Sequence, residues 1–159
     1  MRETSTAPAR RKDGHAGAES TLLYVVKQVE LAVRARLDEI LRPAGISVLQ
    51  YTALTVLERH PDLTSAQLAR NSFVTAQSMA DMVIALQDRG LIERHRDAQD
   101  RRRLVLALTP RGQRLLKRYR PKVEALEEEM LAGLTARQAA DLRRSLAACR
   151  AALVDHSLQ

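Results

Sequence analysis

The sequence predicts a mainly α chain with one small β hairpin, an α+β arrangement, and three observations carry that expectation. Apolar residues recur every three or four positions through most of the 159 residues, the spacing of buried helix faces. Ser47/Gln50, Thr64/Gln67 and Thr135/Gln138 each present an S/T-x-x-Q pattern, in which a hydroxyl caps a first-turn amide and the glutamine answers the cap's own N–H. Alternation takes over at Leu104 to Leu108, where Leu104, Leu106 and Leu108 alternate with Val105 and Ala107, as in a strand with one buried face.

Residues 1–18 hold Pro8, Gly14, Gly17 and the cluster Arg10-Arg11-Lys12 with nothing apolar to bury, and read as a disordered basic tail. A first helix is expected over 20–42, because Leu22, Val26, Val29, Val33, Leu37 and Ile40 share one face until Pro43-Ala44-Gly45 stops it. At ~1.5 Å per residue it is about 30 Å long. Helices over 47–60, 64–71 and 75–89 follow, the last capped by Thr75, and then a hairpin over 91–108. Thr109-Pro110 starts a helix over 110–131, since proline at the first helical position gives up an N–H that has no partner there. Pro121 is expected to kink or split that helix. The last helix, 135–155, carries Ala139, Leu142, Leu146, Cys149 and Leu153 as a narrow seam suited to another helix. Gly45, Gly90 and Gly133 lie just past helix ends, where a left-handed residue closes the final turn. The seam and the long first helix together offer more helical surface than one small domain covers.

A chain of this length supports one domain. Its formal charge of +7 and pI near 10.3 favour a polyanionic partner, either nucleic acid or an acidic membrane surface, and composition does not separate the two. No run approaches the roughly 18 to 20 apolar residues of a bilayer span, and the N-terminus lacks the apolar core of a secretory signal. The single cysteine, Cys149, cannot form an intrachain disulfide, so a cytoplasmic location is expected and no membrane partner.

The segment from Thr64 to Thr109 narrows the choice of polyanion. In the helix over 75–89, Met79, Val83 and Leu86 share the inward stripe, which turns Gln77, Ser78 and Asp81 outward, with Thr75 and Ala76 at the amino end. Small and amide side chains at a helix N-terminus suit base edges, and Gln77 has the geometry for a bidentate contact to adenine. Asp81 fits less well, because a carboxylate beside DNA must accept from cytosine or repel phosphate. The hairpin that follows holds Arg94, Arg96, Arg101, Arg102 and Arg103, guanidinium groups that repel one another unless an anion lies opposite. Asp97 and Asp100 offset part of this charge, and Asp100 is placed to orient Arg102 through a charge-assisted hydrogen bond. A helix pair followed by an arginine-crowded hairpin suits a duplex gripped in two grooves.

These residues carry a resemblance. The order helix, helix, Gly90-Leu91-Ile92-Glu93-Arg94, then Asp100-Arg101-Arg102 and Leu108-Thr109-Pro110-Arg111-Gly112 resembles the MarR family of bacterial transcription regulators, over nearly everything from Ser20 to Leu153. The resemblance implies a winged helix-turn-helix lobe over 45–109 flanked by a helical dimerisation region, 19–44 and 110–156. It implies a homodimer on a pseudo-palindromic double-stranded DNA operator, with the helix over 75–89 in the major groove and Arg102 in the adjacent minor groove, steadied by Asp100. Thr75, Gln77 and Ser78 are then the candidates for reading bases, and Arg94, Arg101 and Arg103 flank Arg102 as DNA contacts. Leu142, Leu146, Cys149 and Leu153 are the candidate dimer contacts. The family's response to small aromatic or phenolic effectors makes Tyr24 and Tyr51, on the first two helices, candidate ligand contacts.

Some members of the family sense peroxide through a cysteine near the start of the first helix, and this chain has none there; Cys149 in the last seam reads as a small buried thiol. His15, His60, His95 and His156 are scattered, without metal-ligand spacing, and no phosphate-cradling glycine loop or nucleophile elbow occurs. No cofactor, no metal and no enzyme activity are expected. The expected function is a ligand-responsive repressor. Two rivals remain: a non-specific architectural DNA-binding protein without an effector, and a protein-interaction module whose basic hairpin is incidental.

Overall fold

The computed structural model describes residues 20–155; the basic tail expected over 1–18, His15 and His156 lie outside them. All six expected helices form: α1 (Leu22–Leu41), α2 (Val48–Arg59), α3 (Ser65–Asn71), α4 (Ala76–Asp88), α5 (Pro110–Leu131) and α6 (Ala136–Asp155). Between α4 and α5 lie β1 (Ile92–Arg96) and β2 (Leu104–Leu108), paired antiparallel with Ile92 opposite Leu108 and Arg96 opposite Leu104.

Helix boundaries follow the caps. Ser47 and Thr64 each form both halves of a capping box, Ser47 with Gln50 and Thr64 with Gln67, and Thr135 does the same with Gln138 ahead of α6. Thr109 caps α5 through the Gly112 amide while its own hydroxyl donates to the Gly90 carbonyl at 2.6 Å. One side chain thus ties the hairpin's entrance to its exit. Gly45 (φ 65°) and Gly90 (φ 67°) adopt the left-handed conformation expected past helix ends. Gly133 does not, because α5 closes instead through short bonds from Ala132 N–H to Glu129 and from Leu134 N–H to Leu131. Nor does Pro121 split α5, which runs unbroken from Pro110 to Leu131; the residue sits on an exposed face, and the helix is held on either side of it by core side chains Tyr119 and Leu126.

The core lies where α2, α3, α4 and the hairpin meet the lower halves of α1 and α5. Leu41, Leu54, Leu68, Met79, Leu86 and Leu116 are fully buried there. Each such side chain contributes on the order of 1.5–3 kcal/mol by leaving water. Strand β2 departs from simple alternation: Leu104 is exposed, while Val105 and Leu106 are both buried. The reason is a third segment. Leu63, between α2 and α3, forms a bridge with Leu106, whose N–H donates to the Leu63 carbonyl at 2.8 Å, so the strand is covered from its edge as well as from one face.

The upper part of the chain is open. Along α1 the expected stripe is covered only toward its end: Val33, Leu37 and Ile40 are half-buried, but Leu22 is 74% exposed and Val26 and Val29 are exposed too. Helix α6 rests on α5 through an Arg143–Glu127 ion pair at 2.5 Å. Its seam faces solvent, with Leu142, Leu146 and Leu153 all exposed. Cys149, expected to be a buried thiol, is exposed, because no described residue packs on that side of α6. Among the described residues no single helix is long and apolar enough to cross a membrane, and no group of three His, Cys, Asp or Glu is placed to hold a metal ion.

Candidate nucleic-acid interface

Helix α4 presents the expected edge. Met79, Val83 and Leu86 are buried, and Thr75, Ala76, Gln77, Ser78 and Asp81 are exposed. The Thr75 hydroxyl accepts from the Ser78 amide at 3.1 Å and donates to the Ser78 hydroxyl at 3.0 Å. Thr75 thus caps α4 as expected, and its hydroxyl is engaged in fixing the helix start. The Gln77 amide reaches the Asp81 carboxylate one turn on at a long 3.5 Å, which gives that acid a partner on the same surface. Gln77 and Ser78 remain directed outward beside the free first-turn amides, where the helix dipole also favours an anion.

The turn between α3 and α4 fixes the angle at which that edge is shown. Phe73 occupies the left-handed region (φ 57°) usually given to glycine, and the Val74 N–H reaches back to the Ala69 carbonyl at 3.1 Å, closing α3. The neighbouring Ser72 is 4% exposed and its hydroxyl has no hydrogen-bond partner among the described residues. Both features are unfavourable locally and sit directly behind the exposed edge of α4.

The hairpin tip is built by two aspartates. Asp97 accepts from the Gln99 amide at 2.9 Å, and Asp100 accepts from the Arg102 amide at 3.0 Å while its carbonyl takes the Arg103 N–H. The expected charge-assisted bond between Asp100 and Arg102 runs to the Arg102 backbone amide, not to its guanidinium. The carboxylate holds the backbone of Arg102, because a two-residue separation brings that amide nearer than the end of the long side chain.

The arginines then divide. Arg96 donates to the Arg101 carbonyl at 2.8 Å. Arg103 donates to the Gln67 carbonyl oxygen at 3.3 Å and pairs with Asp97 at 3.6 Å. That glutamine oxygen already completes the α3 capping box, so Arg103 fastens the tip to the start of α3. Arg94, Arg101 and Arg102 are exposed and their guanidinium groups have no partner among the described residues. At the hairpin's flank, His95 meets Asp62 at 2.9 Å, with Asp62 itself at φ 64°.

Sequence reasoning missed the Arg103–Gln67 and His95–Asp62 links, which join residues 36 and 33 positions apart and leave no local signal. It also missed Arg89, which follows α4 and whose guanidinium donates to the Gly45 and Ala44 carbonyls at 2.5 and 2.6 Å. The two candidate ligand tyrosines separate: Tyr24 is exposed on α1, whereas Tyr51 is buried against α5, where loss of solvent holds its hydroxyl above the ordinary phenol pKa.

Comparison with known proteins places this arrangement. The sequence profile of the MarR family matches residues 44–103, from the loop after α1 through the hairpin tip. The HTH-type transcriptional repressor Rv2887 of Mycobacterium tuberculosis is 34% identical over 128 residues, covering 80% of this chain and 92% of the relative. The solved structure of Rv2887 in complex with DNA superposes with a TM-score of 0.67 at 30% identity, covering 82% of this chain and 98% of that one, and its complex with salicylic acid gives 0.66 at 32%, covering 83% and 98%. Staphylococcus aureus MepR in its DNA-binding conformation shares the fold, with a TM-score of 0.77 at 23% identity over 84% of this chain and 99% of that one. The helix pair, the aspartate-built hairpin and this likeness over four fifths of the sequence agree: the chain is a member of the MarR family of winged helix-turn-helix transcription regulators.

Proposed function

We propose that the chain is a ligand-responsive transcriptional repressor that binds a pseudo-palindromic DNA operator as a homodimer in the cytoplasm. The observation that carries this reading is the wing tip, where Arg101 and Arg102 stand unpaired on a backbone pinned by Asp97, Asp100 and the Arg103–Gln67 bond. A pinned loop carrying free guanidinium groups loses little entropy on binding and suits the narrow, negative minor groove. Gln77 and Ser78 read base edges in the major groove, Arg102 enters the minor groove, and Arg94 and Arg101 contact phosphate. Arg103 acts by positioning the wing, and Thr75 by positioning α4.

The homodimer is supported by the uncovered apolar faces of α1 and α6, which one chain leaves in water at a cost of about 25 cal/mol per Å². Leu142, Leu146, Cys149 and Leu153 lie in that contact. The effector is a small aromatic or phenolic compound held between the dimer scaffold and the DNA lobe, with Tyr24 and Tyr51 on its walls; the complex of the mycobacterial relative with salicylic acid supports this ligand class.

Competition binding tests the reading. A labelled duplex carrying the inverted repeat nearest the chain's own gene should be displaced at least about tenfold more readily by itself than by a scrambled duplex. Its affinity should fall with salt at a slope of roughly −0.9 per neutralised phosphate. Equal displacement by both duplexes would make the protein a non-specific DNA coat, and no binding at low salt would make the hairpin incidental.

A further inference from the structure

Behind the wing, four arginines converge on one cavity. Arg89 after α4 and Arg111, Arg114 and Arg118 on α5 line a space of about 470 Å³ that no aspartate or glutamate lines. Arg111 and Arg114 have no hydrogen bond or ion pair among the described residues, and Arg118 lies over the Tyr119 ring at 5.9 Å. Arg89 is held rigidly by its bonds to the Gly45 and Ala44 carbonyls. Four like charges facing a common space repel one another unless an anion occupies it. The DNA that α4 reads is not that anion. The 13 residues of α4 place Arg89 about 20 Å from the helix's reading end, and the arginines of α5 begin at the base of the hairpin, five strand residues or about 17 Å from its tip.

We propose that this cavity binds a small phosphorylated organic anion carrying three or more negative charges. Guanidinium forks match phosphate oxygens two at a time, and four of them suit a pyrophosphate or paired phosphate esters better than a single carboxylate. Leu91, Leu115 and the Tyr119 ring supply an apolar wall for the organic part, and the volume falls in the range of small-molecule sites. The location gives binding a consequence. Arg89 joins the end of the reading helix to the loop after α1, so an anion gripping Arg89 and the α5 arginines together fixes the angle between DNA lobe and scaffold. That consequence rests on the repressor reading; binding itself does not.

Calorimetric titration of the full chain with inorganic pyrophosphate, at about 150 mM salt and against sulfate at equal ionic strength, tests the site without DNA. The expected result is one saturable site per chain that sulfate does not fill, weakened at least about tenfold in the Arg114→Gln/Arg118→Gln variant and unchanged in Arg137→Gln. Arg114→Gln alone, at an exposed position, serves if the double variant is poorly folded. Absence of saturable heat, equal binding of sulfate, or full binding by the Arg114 variants would overturn the site. Pyrophosphate that binds but leaves duplex affinity unchanged would retain the site and remove its regulatory role.

Discussion

Arg102 and Arg103 are neighbours in sequence with opposite surroundings, one guanidinium free and the other tied to Gln67 and Asp97. Arg102→Ala should therefore weaken operator binding at least about tenfold with stability and dimerisation unchanged, as removal of a groove contact does. Arg103→Ala should weaken binding as well, but through a loosened wing, seen as faster amide exchange at Gln99 and Arg102 in the free protein. Gly112 is constrained by space: a Cβ there would lie 2.2 Å from the Leu91 carbonyl oxygen, a backbone atom with little room to yield. Gly112→Ala should cost about 1–3 kcal/mol in denaturant unfolding, which explains the glycine that follows the cap Thr109. Tyr51 predicts a pH effect. Burial raises its pKa in the folded chain above the ordinary 10.0, so the stability it lends is complete below that pH and is lost as pH rises through the folded value. Denaturation midpoints taken on both sides of about pH 10 should fall more steeply for the native chain than for Tyr51→Phe.

At the scale of elements, much of the fold was legible because the signals were local. Ser47, Thr64, Thr75 and Thr109 each cap the helix their sequence context indicates, and Gly45 and Gly90 turn where expected. The departures come from interactions that sequence spacing does not encode. Leu63 pairs with Leu106 at the edge of β2, where Val105 and Leu106 are both buried, so strict alternation fails, and the bond from Asp100 to Arg102 runs to the backbone amide. The α3–α4 turn accepts Phe73 at a glycine-like φ and leaves the Ser72 hydroxyl unpaired, a local cost set beside the reading edge of α4. Helix α6 shows the limit of a single chain: Leu146 and Cys149 of the expected seam are exposed in it, and the proposed homodimer is what would cover them. Leu146→Asp should shift the protein from dimer to monomer in sedimentation velocity while the capped lobe helices keep their circular dichroism.

At the scale of the whole molecule, polar links supplement the shared core: Arg89 ties the end of α4 to the Gly45 loop, Arg120 pairs with Glu58 between α5 and α2 at 2.5 Å, and Arg36 pairs with Glu129 at 3.0 Å between α1 and α5. In the proposed symmetric pair, the Arg89 and Arg120 links bear on the spacing of the two α4 helices on successive turns of a duplex, about 34–36 Å apart. In the proposed mechanism, a ligand that changed that spacing by a few ångströms would release the DNA without unfolding the chain. The central claim, two symmetric halves each using α4 in a major groove and Arg102 in the adjacent minor groove, is tested most directly by footprinting the protein on its own inverted repeat. Hydroxyl-radical cleavage should show two protected minor-groove segments equidistant from the centre of the repeat, both lost in Arg102→Ala while the major-groove guanines between them stay protected from methylation. Protection without a centre of symmetry, or minor-groove protection that survives the loss of Arg102, would contradict it.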